Sequence, residues 1–543
     1  MKTIRRRLTV IAALSVASLM VSACSGSGSK DSGGSTLRVG VVDQFLHPNP
    51  FNASSIIDYS YQQMTLPALV QYDGKGEIVP DLATSWTTSE DGLTWTFKLV
   101  PGAKWSDGAP LTSKDVAFTF NTIIKYVDGP TAIDSQNITN LDSVSTTDPE
   151  TAVFHYRAPM AAALAYLNNT SILPEHVWGK LATGDGAGLK TYPNKAPSVA
   201  GGPFTPTSWD GSSFLALKRN PNFYGKKPAY SKMGIKYYTS PDGLIQDLKR
   251  GKVDFANAVP LSSADLLKNS GLQIDVREST NYLDLFFNMK APRNKTLGNV
   301  ELRHLMNRAV DRDRIIEIAY PGSKPGASIV TPTATFWNPD VKTPAFDVAG
   351  VNTALDAAGY KSGSGGIRER GGVKLTYSVL INGSLSGAGD RTFQILSDDF
   401  KKVGIELVGR KMDSSAYRSA LFGKDNNYEG WDMALGMDSA LLDPGYDLSY
   451  FTCGSFGAYN FSGWCDKHFD KLYLKQAALT KPEERKPVVY EMQEYADKVL
   501  PAITILYTAT IDAYQKSWTG FGAGPFGSLS PLSKVTMTEA HKK

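Results

Sequence analysis

The residue types that carry covalent or metal chemistry are thinly spread in this chain. Its six histidines stand at positions 47, 155, 176, 304, 468 and 541, each far from the next. None belongs to a His-Glu-x-x-His run or a Cys/His cluster, so the spacing offers no zinc site. There is no Gly-x-Ser-x-Gly elbow and no Walker-type phosphate loop. Gly522-Ala523-Gly524-Pro525-Phe526-Gly527 does fit a dinucleotide fingerprint, but it stands 16 residues from the C-terminus, with no room for a following βαβ unit. Carboxylates are abundant, yet no nucleophile–base pattern accompanies them, so a secreted hydrolase is a distant alternative. Binding chemistry remains. Trp431, Met433 and Leu435 alternate with Asp432, Ala434 and Gly436. That period of two predicts a strand, and the run Met437 to Asp443 leads on to Pro444-Gly445. The stretch from Trp431 to Phe451 is expected to carry specificity.

Length and composition set the frame for that stretch. A chain of 543 residues is too long for one core and implies two or three domains. It is 42% hydrophobic and 20% charged, ordinary for a soluble globular protein. The net charge of +4 is already supplied by Lys2, Arg5, Arg6 and Arg7, so the remainder is near neutral. Nothing argues for nucleic acid, which calls for a clustered basic surface. Residues 1–23 read as a signal peptide, with a charged start and an apolar stretch from Leu8 to Val21 too short for a comfortable span. Val21-Ser22-Ala23-Cys24 resembles a bacterial lipobox, which makes Cys24 the lipidated first residue of the mature chain. The alternative is a plain signal peptide with a chance cysteine. The general secretory path fits better than the twin-arginine route. Residues 24–35 are a lipidated flexible tether rich in Gly and Ser. Cys453 and Cys465 lie 12 apart among glycines in an extracytoplasmic chain. They read as a disulfide, with two free thiols as the alternative.

The positioning elements follow from local patterns. Thr94 to Leu99 alternates as a half-buried strand, bounded by Asp91-Gly92 and Pro101-Gly102 turns. Thr112 and Asp115 form a predicted capping box, and Val116, Phe120, Ile123 and Val127 follow at helical spacing. Thr36 to Val42 reads as a strand and Tyr59 to Val70 as a helix. Trp209-Asp210-Gly211 turns a hairpin within residues 198–224. Ile235–Tyr238, Pro241–Arg250 and Val253–Phe255 read as a β–α–β unit of α/β architecture. Asn281–Asn288 is a strongly apolar strand. Asn299 to Ile318 reads as one helix with Arg303, Arg308, Arg312 and Arg314 on its polar sides. Lys361–Gly372 reads as a solvated loop. Arg391–Val403 is a helix, and Leu500–Thr510 a late apolar strand.

One stretch also carries a family likeness. From Ser85 to Phe120 the chain reads SW-x-x-S-x-DGLTWTF-K-L-x-PG-x-KWSDG-x-P-L-T-x-x-DV-x-F-x-F. This resembles the signature of the family 5 extracellular solute-binding proteins, which include dipeptide, oligopeptide and nickel-chelate receptors of ABC importers. Residues 198–224 resemble a second block of that family. The resemblance implies an α/β fold, a two-lobed periplasmic-binding-protein clamshell of class II type with an extra subdomain on lobe one. Lobe one spans 36–285 with an insertion over about 60–195, lobe two 286–505, and 506–543 returns to lobe one. The hinge then includes Tyr282–Asn288 and Leu506-Tyr507. It also implies no enzymatic activity, no cofactor and no metal, with a monomer that delivers a small peptide or peptide-like solute to permease subunits. Ligand-contacting positions implied by the family are Phe45, His47, Tyr282, Trp431, Gly436, Met437, Asp438, Ala440 and Tyr507. In the peptide-binding members the run corresponding to Gly436–Pro444 holds an Asp that anchors the peptide amine. Here Ala440 occupies that place. Asp438, on the same face of an extended segment, is a candidate substitute; a loop-capping role is its alternative. The departure at Ala440 also admits a non-peptide ligand such as an oligosaccharide, an opine-like compound or a metal chelate.

Overall fold

The computed structural model describes residues 35–42, 44–521 and 532–543. The predicted signal peptide, Cys24, nearly all of the tether and the Gly522–Gly527 run lie outside the described residues. One eleven-stranded sheet runs through the molecule. Its order is Glu406–Met412, Thr376–Asn382, Met433–Ser439, Gln273–Phe287, Ala502–Tyr514, Phe255–Val259, Thr36–Val41, Lys232–Tyr237, Phe214–Arg219 and Phe204–Trp209, with Lys324–Pro325 beside Ala502–Tyr514. Helical crossovers make part of it parallel. Pro241–Lys249 carries the chain over Thr36–Val41, and Ser386–Lys402 joins the parallel strands Thr376–Asn382 and Glu406–Met412.

Two long antiparallel strands, Gln273–Phe287 and Ala502–Tyr514, form the shared middle of this sheet. Residues Gln273–Glu278 pair with Tyr514–Ala509, and Tyr282–Phe286 pair with Tyr507–Ala502. The register slips between Glu278 and Tyr282. Regular pairing therefore breaks just upstream of the Tyr282–Asn288 segment expected at the hinge. Beyond the break each face has its own core. Leu283, Leu285 and Phe287 enter one cluster with Met433 and Leu435, while Phe286 enters another with Ala434 and Trp431. The other part of the sheet is likewise covered on both sides, around Val39 and Ile235 and around Leu244 and Val253. These two parts make the fold a two-lobed α/β clamshell.

The signature stretch builds a separate layer. Ala83–Thr88, Thr94–Leu99, Thr151–Tyr156 and Leu141–Asp148 form a four-stranded antiparallel sheet. The helix Ser113–Lys125 packs on it, and Trp95, Phe97, Phe120 and Phe154 share one core. Both halves of the Thr112/Asp115 capping box are present.

Several local expectations need correction. Asn299–Ile318 is two helices, Val300–Arg308 and Arg312–Ala319, because Asp311 caps the second. Arg303 and Arg312 are not on polar faces: they are 2% and 4% exposed. Arg303 donates to the carbonyls of Leu297, Val499 and Leu500, and Arg312 to those of Asn307 and Thr504. A guanidinium has five donors, so ring-fenced carbonyls can hold it inside, which helical periodicity cannot reveal. Lys361–Gly372 is not a free loop. It folds into a three-stranded sheet whose Arg368 is buried and donates to Tyr360 O at 2.6 Å. The first helix is Ile56–Thr65, started by a Ser55/Asp58 box and ended ahead of Pro67, which disfavours helical geometry before it.

Candidate ligand-binding cavity

A cavity of about 480 Å³ opens between segments within residues 59–72, 132–137 and 166–171 and the loop that follows Met433–Ser439. One wall comes from the helix Ile56–Thr65 with Tyr59, Gln62 and Gln63, the strand Val70–Tyr72, and the 3-10 turn Ala132–Ile138 with Asp134 and Asn137. Tyr166 and Asn169 extend that wall. The facing wall is Ala440-Leu441-Leu442, Tyr446 and Tyr459, and Ser533-Lys534-Val535 close one side.

Strand register explains the second wall. In the pairing of Gln273–Phe287 with Met433–Ser439, Tyr282 faces Asp438 and Asp284 faces Gly436. Side chains directly opposite share a face, so Tyr282, Asp284 and Asp438 form one polar stripe. A Cβ at Gly436 would lie 2.7 Å from the Tyr417 hydroxyl oxygen, so a larger residue there must displace that ring. At the end of the strand the Ala440 amide donates to Thr280 O at 2.9 Å. Ala440 then packs with Tyr282 and Tyr507 as a small buried cluster. Tyr507 is fixed by donating to Ser328 O at 2.7 Å and accepting from the Ala327 and Ser328 amides.

Two kinds of carboxylate surround this cavity. The first kind is paired. Arg485 grips Asp443 with two bonds of 2.6 and 2.7 Å, and Lys534 pairs with Asp81, which also accepts from Tyr224 Oη at 2.7 Å. The second kind is not. Asp284 and Asp447 are fully buried and, like Asp438, form no ion pair among the described residues; the Thr504 hydroxyl and the Leu441 amide only partly offset the burial of Asp284 and Asp447. Burial pushes Asp438 up to about 7, against a lowering influence from Arg418. Burial, then the negative charge of Asp438, raises Asp284 and Asp447 well above the usual carboxylate range. The hydroxyls of Tyr282 and Tyr417 beside them are also unpartnered. Asp134, in the cavity wall, is pushed up to about 7 by burial, and only the Asn137 amide bonds it, at 3.1 Å.

The expected contact residues are distributed unevenly. Ala440 lines the cavity, Tyr282 and Tyr507 sit behind it, and Asp438 lies one step back along the strand. Met437 turns to the opposite face and packs on the Leu283–Leu435 core. His47 borders a neighbouring hollow of about 270 Å³ instead. Phe45 is core, packed at 4.7 Å on Tyr61 and 5.0 Å on Trp209. Trp431 is 1% exposed, and its indole N–H donates to Leu421 O. Sequence reasoning missed Tyr59, Asp134, Tyr459 and Lys534, which come from four distant segments. Tyr459 had one indirect signal, since it lies in the loop closed by the Cys453–Cys465 disulfide, whose Cα atoms are 4.6 Å apart. Among the described residues no group of three or more His, Cys, Asp or Glu side chains could hold a metal ion. No helix among them is long and apolar enough to cross a membrane.

A two-lobed α/β fold with a largely apolar, aromatic-walled cavity of this size that also presents several polar side chains has the form of a solute-binding clamshell. The chain belongs to the bacterial extracellular solute-binding proteins, family 5, whose middle-region model matches residues 77–460. A Brucella ovis protein named as an ABC transporter peptide-binding protein is 28% identical over 357 residues, covering 65% of this chain and 64% of that protein. The oligopeptide-binding protein AppA of Bacillus subtilis is 23% identical over 98% of this chain and 99% of its own. Among solved structures, the ABC transporter substrate-binding protein CtaP of Listeria monocytogenes superposes with a TM-score of 0.80 at 20% identity, covering 94% of this chain and 99% of that one. AppA of Bacillus subtilis in complex with a nonapeptide gives 0.71 at 19% identity, covering 94% and 99%.

Proposed function

We propose that this chain is the lipid-anchored receptor of an ABC importer, capturing a peptide or peptide-like solute between its lobes and presenting it to permease subunits as a monomer. The observation that carries the reading is the cavity itself. It is walled by segments within residues 59–72, 132–137 and 166–171 on one side and by the Ala440–Leu442 segment on the other, the arrangement a closing clamshell needs. Relatives named for peptide binding support the ligand class. Ala440–Leu442 continues a sheet strand, so an extended ligand has backbone beside it for strand-like pairing. In this reading Asp438 supplies part of the amine anchor that Ala440 lacks, and the hinge includes Tyr282–Asn288 and Leu506-Tyr507, next to the register shift between Glu278 and Tyr282. Lobe one covers 36–285 with the insertion about 60–195, lobe two 286–505, and 506–543 returns to lobe one.

The lobe-one wall contributes amides, phenols and the Asp134 carboxylate, while the Lys534 ammonium beside them is taken up by Asp81; this also suits a non-peptide solute of similar size, and Ala440 favours this second reading. Native mass spectrometry of the protein purified from its host separates the two, because a trapped ligand reveals its own mass. A peptide mass ladder supports the first reading, and a single non-peptide mass replaces it with the second. Anchoring rests on Val21-Ser22-Ala23-Cys24 and the following tether. Changing Cys24→Ser should abolish partition into the detergent phase, and unchanged partition rejects the anchor.

A further inference from the structure

We propose that Asp134 is a specificity-determining residue of the cavity, where its carboxylate receives a protonated amine or guanidinium of the bound solute between Tyr59 and Tyr459. This rests on reading the cavity as the solute site. Asp134 lines the cavity on the turn Ala132–Ile138. Its side chain has one bond, from the Asn137 amide, and no cation pairs with it among the described residues. Asn137 also lines the cavity, so that bond orients the carboxylate without shielding it from a ligand. The neighbours are aromatic. Tyr59 and Tyr459 line the same cavity as Asp134, Tyr59 on the same wall and Tyr459 on the facing one. Tyr459 is held by stacking on Tyr450, with centroids 5.2 Å apart and planes within 9°.

A carboxylate withdrawn from water without a counter-charge is costly to ionise. Asp134 is half-buried, burial raises it for this reason, and the Asn137 amide only partly offsets that rise. An incoming ammonium supplies the missing charge, and phenol faces favour the same cation. A purely structural Asp in such a turn bonds the backbone of its own helix end; Asp134 bonds only a side chain that itself faces the cavity. The two acids Asp81 and Asp443 near the same cavity are already neutralised by Lys534 and Arg485, which leaves Asp134 as the accessible cation acceptor of this wall.

Calorimetry on the mature chain uses four probes: acetyl-trialanine amide, trialanine amide, acetyl-Ala-Lys-Ala amide and cadaverine. Wild type should favour a cationic probe over the neutral peptide by about tenfold or more. Asp134→Asn should erase that preference while Asp134→Glu retains it, with melting curves of both variants showing folded protein. A preference that survives Asp134→Asn overturns the assignment and leaves the peptide reading standing. Binding of cadaverine alone, lost in Asp134→Asn, upholds the assignment and overturns the peptide reading. Binding of the neutral peptide alone, or of no probe, overturns the assignment.

Discussion

The cavity has two contrasting neighbourhoods. Around Tyr72 and Tyr166 the nearby charge is the Asp443–Arg485 pair, which both tyrosines sense. Around Tyr59 and Tyr459 the nearby acid is Asp134, with Asp438, Asp284 and Asp447 behind the facing wall, and these are unpaired. Tyr72, Tyr166 and Asp443 in the first and Tyr59, Tyr459 and Asp134 in the second are all half-buried. The difference lies in what satisfies the charge. A carboxylate gripped by two guanidinium bonds is finished, and it fixes the relation of the helix Pro482–Val499 to the Asp443 loop. A carboxylate left without a counter-charge is an incomplete structure whose completion is a ligand or a proton. Under the proposed reading, paired acids hold the walls in place and unpaired acids meet the solute.

The contrast is tested most strongly at the paired side. Arg485→Ala removes a buried guanidinium and leaves the half-buried Asp443 without its partner, which should destabilise the protein by about 3 kcal/mol, the low end for a buried pair. Chemical denaturation measures this, and a loss below about 1 kcal/mol removes the distinction drawn here. Removing the Cys453–Cys465 bridge by a double serine change loosens the loop that carries Tyr459. The chain-entropy estimate for so short a loop is about 3 kcal/mol, again read by denaturation, and weaker ligand capture should accompany it.

On the unpaired side the expected signs reverse. Asp438→Asn should weaken an amine-bearing ligand by more than about tenfold, yet leave the unliganded protein as stable or more so. Calorimetry with such a ligand that shows wild-type binding makes Asp438 a loop residue. A smaller effect concerns pH. Asp438 and Asp134 both rise from an ordinary value of 3.8 to about 7 on folding. The folded state then holds more protons than the unfolded state between those values, so stability falls as pH climbs through the window. The groups facing Asp438 are Arg418, Tyr282, Asp284, Tyr417, Tyr446, Tyr450 and Asp447, and those facing Asp134 are Asn137 and Tyr59. Melting temperature should decline from pH 4 to 7, and the Asp134→Asn/Asp438→Asn double variant should flatten that decline. A wild-type profile that rises instead places these acids in ion pairs.

Much of the architecture was legible in the chain alone. The alternation in Thr94–Leu99, the Thr112/Asp115 box and the Trp209–Gly211 turn depend on neighbours within a few residues, and such patterns survive in one dimension. The strand through Met433 was legible for the same reason, although it runs on to Ser439. The likeness in residues 85–120 carried the family and hence the clamshell. Tertiary structure alone decided which charges are buried. Arg303 and Arg312 look like surface residues until the ends of distant segments bring carbonyls to them. It also decided which tyrosines and acids meet. Tyr59, Asp134, Tyr459 and Lys534 are separated by long stretches of chain and share a cavity only because both lobes fold against it. A carboxylate's charge state depends on solvent and counter-charge in three dimensions, and no spacing along the sequence encodes either one.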